Sequence, residues 1–375
     1  MMKVLYLLNF AGKAGTERYV ETLVKYLNGE KIQAYFAYNE GGLLVERLEA
    51  MGVPVRQLTM RRRFDLKAAR ALAALCREWD IDVIHCHYLR EHYTALLAKK
   101  YDPHIRVVYT NHFVLANNMV TRLSNHWMDK RQDQMIAVCN KGRQQLIANG
   151  WSGDRIQVIF NGVDPAAWAG TRADSTLRSE LNLPEDRFVM LCASRFAHDK
   201  GHKYLINALK RLTEISQVPF TMVLAGDGPL LEPAQAQVKA LGLTEQVKFI
   251  GFRKDIKNLY KGADLYVNAS EHEALSFLII EAMAAGLPVI ATDMGGNRDI
   301  VNDKTGCGLL VEYDNPDSMA GAMKQLMENP ALLAHCRENA KKAIEQTFEI
   351  HKLALDTYQV YEKAAAGAPP RPAVG

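Results

Sequence analysis

The chain has 375 residues, a net charge of +4 at pH 7, and a composition that is 48% hydrophobic and 23% charged. This composition is that of a globular chain long enough for two separate cores, and it excludes a fibrous or intrinsically disordered protein. No apolar run approaches the roughly 20 residues of a membrane-spanning helix, and no basic ribbon interleaved with aromatic residues suggests nucleic-acid binding.

The first half of the sequence alternates short apolar runs with amphipathic stretches. The predicted strands are KVLYLLN, QAYFAYN, VPVRQL, DVIHCHY, RVVYTNH and QMIAVCN. The predicted helices are TERYVETLVKYLN, LLVERLEAMG, DLKAARALAALCREWD and KGRQQLIANG. This alternation predicts an α/β domain with a parallel, doubly wound sheet and ligands at the carboxyl ends of its strands.

RIQVIFNGVD closes this domain, and a second alternating series follows a connector. Its predicted strands are FVMLCASR, FTMVLAG, VKFIGF, LYVNAS, LPVIAT and GLLVEY, and its helices include HKYLINALKRLTEI, GPLLEPAQAQVKALG and SMAGAMKQLMENP. We therefore predict domains over residues 1–165 and 185–348. The last helical stretch, residues 330–364, has a break near Phe348 and Glu349. The Ala/Pro/Gly-rich tail, residues 365–375, is predicted to be disordered.

Charge is distributed unevenly along the chain. Residues 1–170 carry 23 Lys and Arg against 16 Asp and Glu, and the three consecutive cations Arg61, Arg62 and Arg63 lie in this half. A basic half suits an anionic partner such as a phospholipid surface or a lipid-linked phosphate, and a solvated basic face without a partner is the alternative.

The cysteines and the opening residues bear on localisation. The six cysteines show no paired spacing, and the apolar run of MMKVLYLLNF is too short for a signal peptide. Both features predict a cytoplasmic protein, with peripheral attachment to the inner face of the membrane as an added possibility given the basic half.

The most informative segment is SEHEALSFLIIEAMAAGLPVIAT, from Ser270 to Thr292. It predicts Glu273 in a loop, Glu281 about one turn inside the helix that follows, and then a buried strand. Backbone N–H groups at the start of such a helix can hold a diphosphate, while the two carboxylates can bind sugar and ribose hydroxyls. The segment therefore predicts a nucleotide-sugar pocket.

Seven motifs in order resemble the retaining glycosyltransferases of family four, whose GT-B fold has two Rossmann-like domains facing across a cleft. They are NFAGKAGTERYV, DVIHCHY, YTNHF, NGVD, SRFAHDKG, AGDGP and the Glu273–Glu281 segment. The resemblance implies transfer of a hexose from a nucleotide diphosphate sugar, with UDP expected and GDP the alternative, to a lipid, lipid-linked or saccharide acceptor. It also implies that a terminal helix, about 349–364, crosses back onto the first domain.

The resemblance assigns roles to individual residues. Arg195 and Lys200 are expected to stabilise the departing diphosphate, and no Asp-x-Asp motif stands at a plausible loop, so no metal or other cofactor is expected. Glu273 is expected to bind the donor sugar, which His112 faces from the first domain, and Glu281 the ribose. Further expected donor contacts come from Gly15, Phe252, Arg253, Leu275, Ser276 and Phe277. The chain departs from the family pattern at Ala14, at Ser194 and in the Ala-Leu-Ser sequence after Glu273.

Other candidate residues have structural alternatives. Glu17 and the three arginines are candidates for the acceptor side, although an acid in the first turn of a helix is also favoured by the helix dipole. Residues Val114 to Arg131 mix apolar, aromatic and basic side chains, which suits a lipid-facing element or a surface helix packed within the domain. His85 and His87 bracket Cys86, but no further ligand pair supports a zinc site.

Two rival functions remain at this stage. A nucleotide-sugar epimerase or hydrolase on the same fold would turn over the donor without an acceptor. A non-catalytic module would bind a sugar nucleotide without transfer, but the combination of Arg195, Lys200, Glu273 and Glu281 argues against it.

Overall fold

A computed structural model describes residues 1–12 and 15–366, so Ala14 and most of the predicted disordered tail lie outside the described residues. The chain forms two compact units. One comprises Met1–Asn161 with the last helix, and the other comprises Gly162–Glu349.

The first unit is built on a seven-stranded parallel sheet in the order β3-β2-β1-β4-β5-β6-β7. Its strands are β1 (Met2–Phe10), β2 (Ile32–Glu40), β3 (Val55–Gln57), β4 (Val83–Cys86), β5 (Arg106–Asn111), β6 (Gln134–Ala137) and β7 (Ile156–Val158). Its helices are α1 (Gly15–Leu27), α2 (Leu43–Ala50), α3 (Leu66–Trp79), α4 (Leu89–Ala98), α5 (Met119–Asp129) and α6 (Asn140–Ala148).

The second unit has a six-stranded parallel sheet in the order β10-β9-β8-β11-β12-β13. Its strands are β8 (Phe188–Ala193), β9 (Phe220–Ala225), β10 (Val247–Gly251), β11 (Leu265–Asn268), β12 (Val289–Thr292) and β13 (Gly308–Val311). Its helices are α7 (Pro165–Trp168), α8 (Leu177–Glu180), α9 (His202–Ile215), α10 (Leu231–Ala240), α11 (Ile256–Gly262), α12 (Phe277–Ala284), α13 (Asn297–Ile300), α14 (Pro316–Glu328) and α15 (Pro330–Thr347).

The last helix, α16 (Ile350–Ala365), belongs to the first unit. It packs beside α1, and Leu353, Val360 and Tyr361 join the hydrophobic cluster on one face of the first sheet. The break before it falls at Phe348 and Glu349, as the sequence predicts.

Both sheets have the predicted doubly wound parallel topology. The central strands are buried on both faces, and Val4 to Leu8 of β1 are fully buried between helices. Strands that are covered on both faces read as continuous apolar runs, which is why the sequence locates them well.

Two parts of the pattern near β4 differ from the prediction. The predicted strand DVIHCHY ends earlier, at Cys86, and the residues after it form α4, a helix that the apolar pattern did not predict. Tyr88 precedes the first residue of α4, and its N–H donates to the Glu91 side-chain oxygen Oε1 at 2.6 Å. This hydrogen bond satisfies a backbone N–H that would otherwise lack a partner at the start of the helix. The helix can therefore begin here, although the sequence pattern predicts that the strand continues.

Candidate functional site

The second sheet has its topological switch point between β8 and β11. From β8 the chain winds outward through β9 and β10, whereas β11, β12 and β13 extend the sheet in the other direction. In open α/β sheets, ligands bind in the crevice at the carboxyl ends of the strands at such a point. Arg195 and Lys200 follow β8, and Glu273 follows β11. Arg195, Lys200 and Glu273 therefore share this crevice, as the sequence motifs predict.

Lys200 and Glu273 form the central contact of the crevice. The Lys200 Nζ donates to Glu273 Oε1 at 2.8 Å, and the side chains are only 20% and 15% exposed. Asp199 is a second carboxylate partner, at 3.5 Å from the same ammonium. The cation is thus fixed by two acids while part of it still faces solvent.

Close backbone contacts fix the loops that follow β8, β11 and β12. Gly201 has a φ of 67°, and a Cβ atom there would lie 1.9 Å from the carbonyl oxygen of Ala269. Gly295 has a φ of 57°, and its Cβ would lie 1.6 Å from the Glu273 carbonyl oxygen, which accepts the Gly296 N–H at 3.1 Å. Because only glycine fits such positions, the loops after β8, β11 and β12 are locked around Glu273.

Arg195 is the more exposed of the two predicted cations. Its side chain is 70% exposed, and its nearest acidic group is Asp199 at 3.9 Å. An exposed ion pair at this distance contributes little to stability, so the guanidinium can turn toward an anion at small cost.

Helix α12 begins directly after the Glu273 loop. Ser276 precedes its first residue, Phe277, and both Leu275 and Ser276 are buried, being 5% exposed. Glu281 lies one turn inside α12, as predicted, and is 2% exposed. Burial of a carboxylate this deep requires polar partners, and the ribose role assigned to Glu281 stays a prediction.

Tyr266 of β11 connects this strand to the end of β8. Its hydroxyl donates to the Ala193 carbonyl at the end of β8, at 3.2 Å. Burial raises the pKa of Tyr266 well above its ordinary value, and the negative charges of Glu273 and Glu281 raise it further.

Two of the expected donor contacts, Phe252 and Arg253, lie after β10. Phe252 is 70% exposed, and the Arg253 guanidinium pairs with Asp255 and with Glu180, the latter at 2.8 Å. The Arg253 guanidinium is thus paired with two carboxylates. Its backbone groups remain able to contact the base of a nucleotide.

In the first unit, the loop after β1 and the start of α1 hold two predicted residues. Gly15 is the first residue of α1, and Glu17 lies in its first turn. Glu17 is 3% exposed, and its Oε1 accepts the Gly12 N–H at 3.3 Å. The Glu17 side chain therefore links Gly12, in the loop after β1, to the first turn of α1.

His112 follows β5 and contacts a second histidine. Its Nε2 lies 3.1 Å from Nδ1 of His87, which follows β4, and its ring meets Tyr19 edge-on with centroids 4.9 Å apart. Burial lowers the pKa of His112 to about 3, so the imidazole is neutral at physiological pH. His112 is suited to hydrogen bonding rather than to charge stabilisation.

His87 restricts which tautomer His112 adopts. Its ring is fully buried, and its Nε2 has no hydrogen-bond partner among residues 1–12 and 15–366. A buried N–H without a partner costs more than an unused lone pair, so the proton of His87 belongs on Nδ1. His112 then accepts at Nε2 and carries its own proton on Nδ1.

His85 has a structural environment. It is fully buried between the Tyr361 hydroxyl and Thr110 Oγ1, each at 2.7 Å from one of its ring nitrogens. In the part of the chain that the structure describes, no group of three His, Cys, Asp or Glu side chains could hold a metal ion. The six cysteines are buried, and none of them forms a disulfide bond within the described residues.

The predicted acceptor-side arginines lie on the exposed segment before α3. The Arg63 guanidinium donates to Thr121 Oγ1 of α5 at 2.8 Å, and the Arg61 N–H donates to Asp65 at 3.1 Å. Arg63 therefore joins this segment to the candidate lipid-facing helix, whereas the side chains of Arg61 and Arg62 are exposed.

Several contributing residues were not identified from the sequence. Asp199, Tyr266 and Gly295 shape the second site, and His87 orients His112. The adjacent glycines after β12 were a usable signal, because glycine pairs after a buried strand often mark close backbone approach. The partners of Tyr266 and His87 come from distant strands and leave no local trace.

Comparison with known families accounts for most of the chain. The family model of Glycosyltransferase Family 4 matches residues 14–167, and that of Glycosyl transferases group 1 matches residues 174–343. The chain belongs to the group 1 glycosyltransferases. It is accordingly an enzyme that transfers a glycosyl group.

Individual relatives are similar over most of their length. The UDP-Gal:alpha-D-GlcNAc-diphosphoundecaprenol alpha-1,3-galactosyltransferase of Escherichia coli is 25% identical over 90% of this chain and 91% of its own. The N-acetyl-alpha-D-glucosaminyl L-malate synthase of Bacillus anthracis is 24% identical over 80% of this chain and 79% of its own. The Anabaena protein Alr3699/HepE, solved with UDP, superposes with a TM-score of 0.84 at 23% identity, over 96% of this glycosyltransferase and all of that chain. Together with the two Rossmann-like units, this match confirms the predicted GT-B fold class.

Proposed function

We propose that this glycosyltransferase is a retaining, metal-independent hexosyltransferase that uses a nucleotide diphosphate sugar, with UDP as the nucleotide. The observation that carries the proposal is the Lys200–Glu273 pair at the switch point of the second sheet, with its 2.8 Å contact and locked loops. Lys200 and Arg195 would hold the diphosphate there, and Glu273 the sugar hydroxyls. The UDP complex of the Anabaena protein supports the choice of nucleotide.

The proposed chemistry requires little of the protein beyond position and charge. The acceptor hydroxyl attacks the anomeric carbon on the face from which the diphosphate departs, and its proton passes to the leaving phosphate oxygen. The bond between the sugar and the diphosphate breaks as the new glycosidic bond forms, so the configuration is retained. Lys200 and Arg195 stabilise the charge that develops on the diphosphate, which is the role a metal has in other glycosyltransferases.

The acceptor we propose is a lipid-linked saccharide. The two relatives differ here, since one is named for malate and the other for a diphosphoundecaprenol lipid. The basic first half of this chain, with 23 Lys and Arg against 16 Asp and Glu, favours the lipid-linked anion.

Membrane association would be peripheral, at the cytoplasmic face. No helix within residues 1–12 and 15–366 has both the length and the hydropathy to cross a bilayer. A polyprenyl-linked acceptor would nevertheless have to be reached at the bilayer surface, and a basic half is attracted to anionic lipid headgroups.

The first experiment is thermal-shift screening with nucleotide sugars, followed by transfer assays on lipid extracts and simple saccharides. We expect UDP and one UDP-sugar to raise Tm, because a ligand that binds only the folded state stabilises it. A rise with GDP but not with UDP would overturn the nucleotide assignment. Transfer should persist in excess chelator, and its loss would overturn the metal-independent mechanism.

The alternative is donor turnover without an acceptor, by a hydrolase or an epimerase. A coupled assay for released nucleotide distinguishes the two, because the proposed transferase releases nucleotide at an appreciable rate only when acceptor is present. Donor binding with neither transfer nor nucleotide release would indicate a non-catalytic module.

A further inference from the structure

Helix α5 has its polarity inverted relative to an ordinary surface helix. Its buried side chains are the polar Thr121 and Asn125 together with Met128, whereas its other large apolar side chains face solvent. The exposed fractions are 65% for Met119, 72% for Val120, 64% for Leu123 and 57% for Trp127. A surface helix normally places such residues against the core, so this outward face requires a partner.

The orientation of α5 is fixed by specific contacts on its inner face. Asn125 donates to the Asn149 carbonyl oxygen at 2.7 Å and accepts a hydrogen bond from the Tyr93 hydroxyl. Thr121 accepts from Arg63 at 2.8 Å. Rotating the helix to bury its apolar side chains would break these buried hydrogen bonds, which are costly to leave unmade.

Basic side chains border the apolar stripe. At about 100° per residue, Met119, Leu123 and Trp127 fall within one exposed sector, Arg122 lies along one edge of it, and Lys130 falls within the sector at the end of the helix. The Arg131 guanidinium lies 4.6 Å from the centre of the Trp127 ring. The apolar stripe is therefore flanked by cations.

The stripe continues into neighbouring segments. Leu115 is 61% exposed and Phe113 is 42% exposed in the loop before α5, and the exposed Arg61 and Arg62 lie next to Arg63, which contacts α5. We call this surface the α5 patch, and its members are Phe113, Leu115, Met119, Val120, Leu123, Trp127, Arg61, Arg62, Arg122 and Lys130.

We propose that the α5 patch docks the protein on an anionic lipid bilayer. Apolar side chains that enter the headgroup region and cations at the level of the lipid phosphates are the pattern of an interfacial helix, and tryptophan favours that boundary. A protein partner would use the apolar stripe but would not by itself require the bordering cations. The inference deepens the proposed function and rests on it only for the lipid-linked acceptor.

The test is flotation of the whole protein with vesicles. We expect binding to vesicles of equal parts phosphatidylglycerol and phosphatidylcholine, weaker binding to pure phosphatidylcholine, and release as salt screens the cations. No binding to the anionic vesicles, or equal binding to both kinds, would overturn the proposal.

Two double variants separate the contributions of charge and apolar surface. Arg122→Gln/Lys130→Gln should weaken binding to anionic vesicles roughly 25-fold, because each cation near such a surface contributes about fivefold. Leu123→Ser/Trp127→Ser should weaken binding to both kinds of vesicle. The matched controls are Lys239→Gln/Lys304→Gln and Leu43→Ser/Leu355→Ser, which alter exposed residues elsewhere and should bind as the unchanged protein does.

The UDP thermal shift separates this inference from the proposed function. Patch variants that keep the UDP-dependent rise in Tm are folded, so their loss of vesicle binding would support the α5 patch. Unchanged vesicle binding in both patch variants would overturn the docking surface and leave the glycosyltransferase assignment intact. Vesicle binding by a protein whose Tm UDP does not change would count against the proposed donor alone.

Discussion

At the scale of single residues, Lys200 occupies a position that suits the binding of a diphosphate. Its charge is balanced by Glu273 at 2.8 Å and Asp199 at 3.5 Å. A diphosphate would add a stronger partner, and the ammonium could remain near Glu273 as that carboxylate accepts sugar hydroxyls. Preorganised charge of this kind requires little rearrangement when the bond to the leaving group breaks.

We predict that Lys200→Ala lowers kcat for transfer by about 100- to 1,000-fold, because the leaving diphosphate loses a fixed cation. Steady-state kinetics on the wild type and the variant measure the change. Lys203→Ala is the matched control, since Lys203 is an exposed lysine of α9 three residues further on, and it should change kcat little. Undiminished transfer by Lys200→Ala would remove the assigned role of this cation.

A second prediction at this scale concerns His112. Because burial lowers its pKa to about 3, the ring should stay neutral between pH 8 and pH 5. Nitrogen-15 NMR of the histidine side chains should show His112 with its proton on Nδ1 throughout this range, as the contact with His87 requires. A titration midpoint near the ordinary value of about 6.5 would contradict the neutral hydrogen-bonding role.

Sequence motifs predicted three candidate site residues but not the residues that support them. Arg195, Lys200 and Glu273 were predicted from motifs in local order, and the structure brings their loops to one crevice. Asp199 contacts Lys200, and Gly295 contacts the backbone of Glu273. The approach of Gly295 to Glu273 depends on which strands are neighbours in the sheet. Strand order is a property of the whole sheet, so no local motif records it.

At the scale of elements, the loops after β8, β11 and β12 are held together by close backbone contacts. Gly201 brings the first loop against Ala269, and Gly295 brings the third against Glu273. Each approach removes the space for a side chain and so holds the backbone in a single arrangement. The position of Glu273 is therefore set by backbone contacts rather than by its own rotamer alone.

We predict that Gly295→Ala lowers the free energy of unfolding by at least about 2 kcal/mol and weakens UDP-sugar binding, because the new Cβ atom forces Glu273 to move. Denaturant unfolding and calorimetric titration measure the two effects. Unchanged donor binding by Gly295→Ala would show that the loop contact does not position Glu273.

Gly321→Ala is the control for this substitution. Gly321 lies in α14, and no atom of a neighbouring residue lies within 4 Å of the point that an alanine Cβ would occupy. Alanine should therefore stabilise the helix by about 0.5–1 kcal/mol and leave donor binding unchanged.

Elements were predicted best where one face or both faces are apolar. Helices α1, α3 and α9 show clear helical spacing and lie within a few residues of their predicted positions. The unpredicted α4 is buried nearly throughout, including its polar residues Glu91 and His92, so it lacks a polar face. Helix α5 carries its apolar residues outward, and its sequence was accordingly open to two interpretations.

At the scale of the whole molecule, the two units differ in how many neutral histidines they bury. Burial lowers the pKa of four histidines in the first unit, His85, His87, His92 and His112, and of His202 in the second. A histidine whose folded pKa lies below its unfolded value gives stability that is present above about 6.5 and is lost as the pH falls below that value. Glu91 acts in the opposite direction, because burial raises its pKa to about 8.

We predict that acidification from pH 7 to pH 5 destabilises the first unit more than the second. Below about pH 6.5 each buried histidine costs about 1.4 kcal/mol per pH unit, and Glu91 offsets one of the four in the first unit. Hydrogen exchange followed on peptides from each unit measures the difference. Equal loss of protection in both units, or greater loss in the second, would contradict this assignment.

In the mechanism we propose, Lys200 and Arg195 at the switch point of the second sheet hold the donor diphosphate. A crystal structure of the enzyme with a UDP-sugar would show whether they do. We expect the diphosphate within hydrogen-bond distance of Lys200 and Arg195, with sugar hydroxyls on Glu273 and ribose hydroxyls on Glu281. A diphosphate bound away from Lys200 and Arg195 would contradict it.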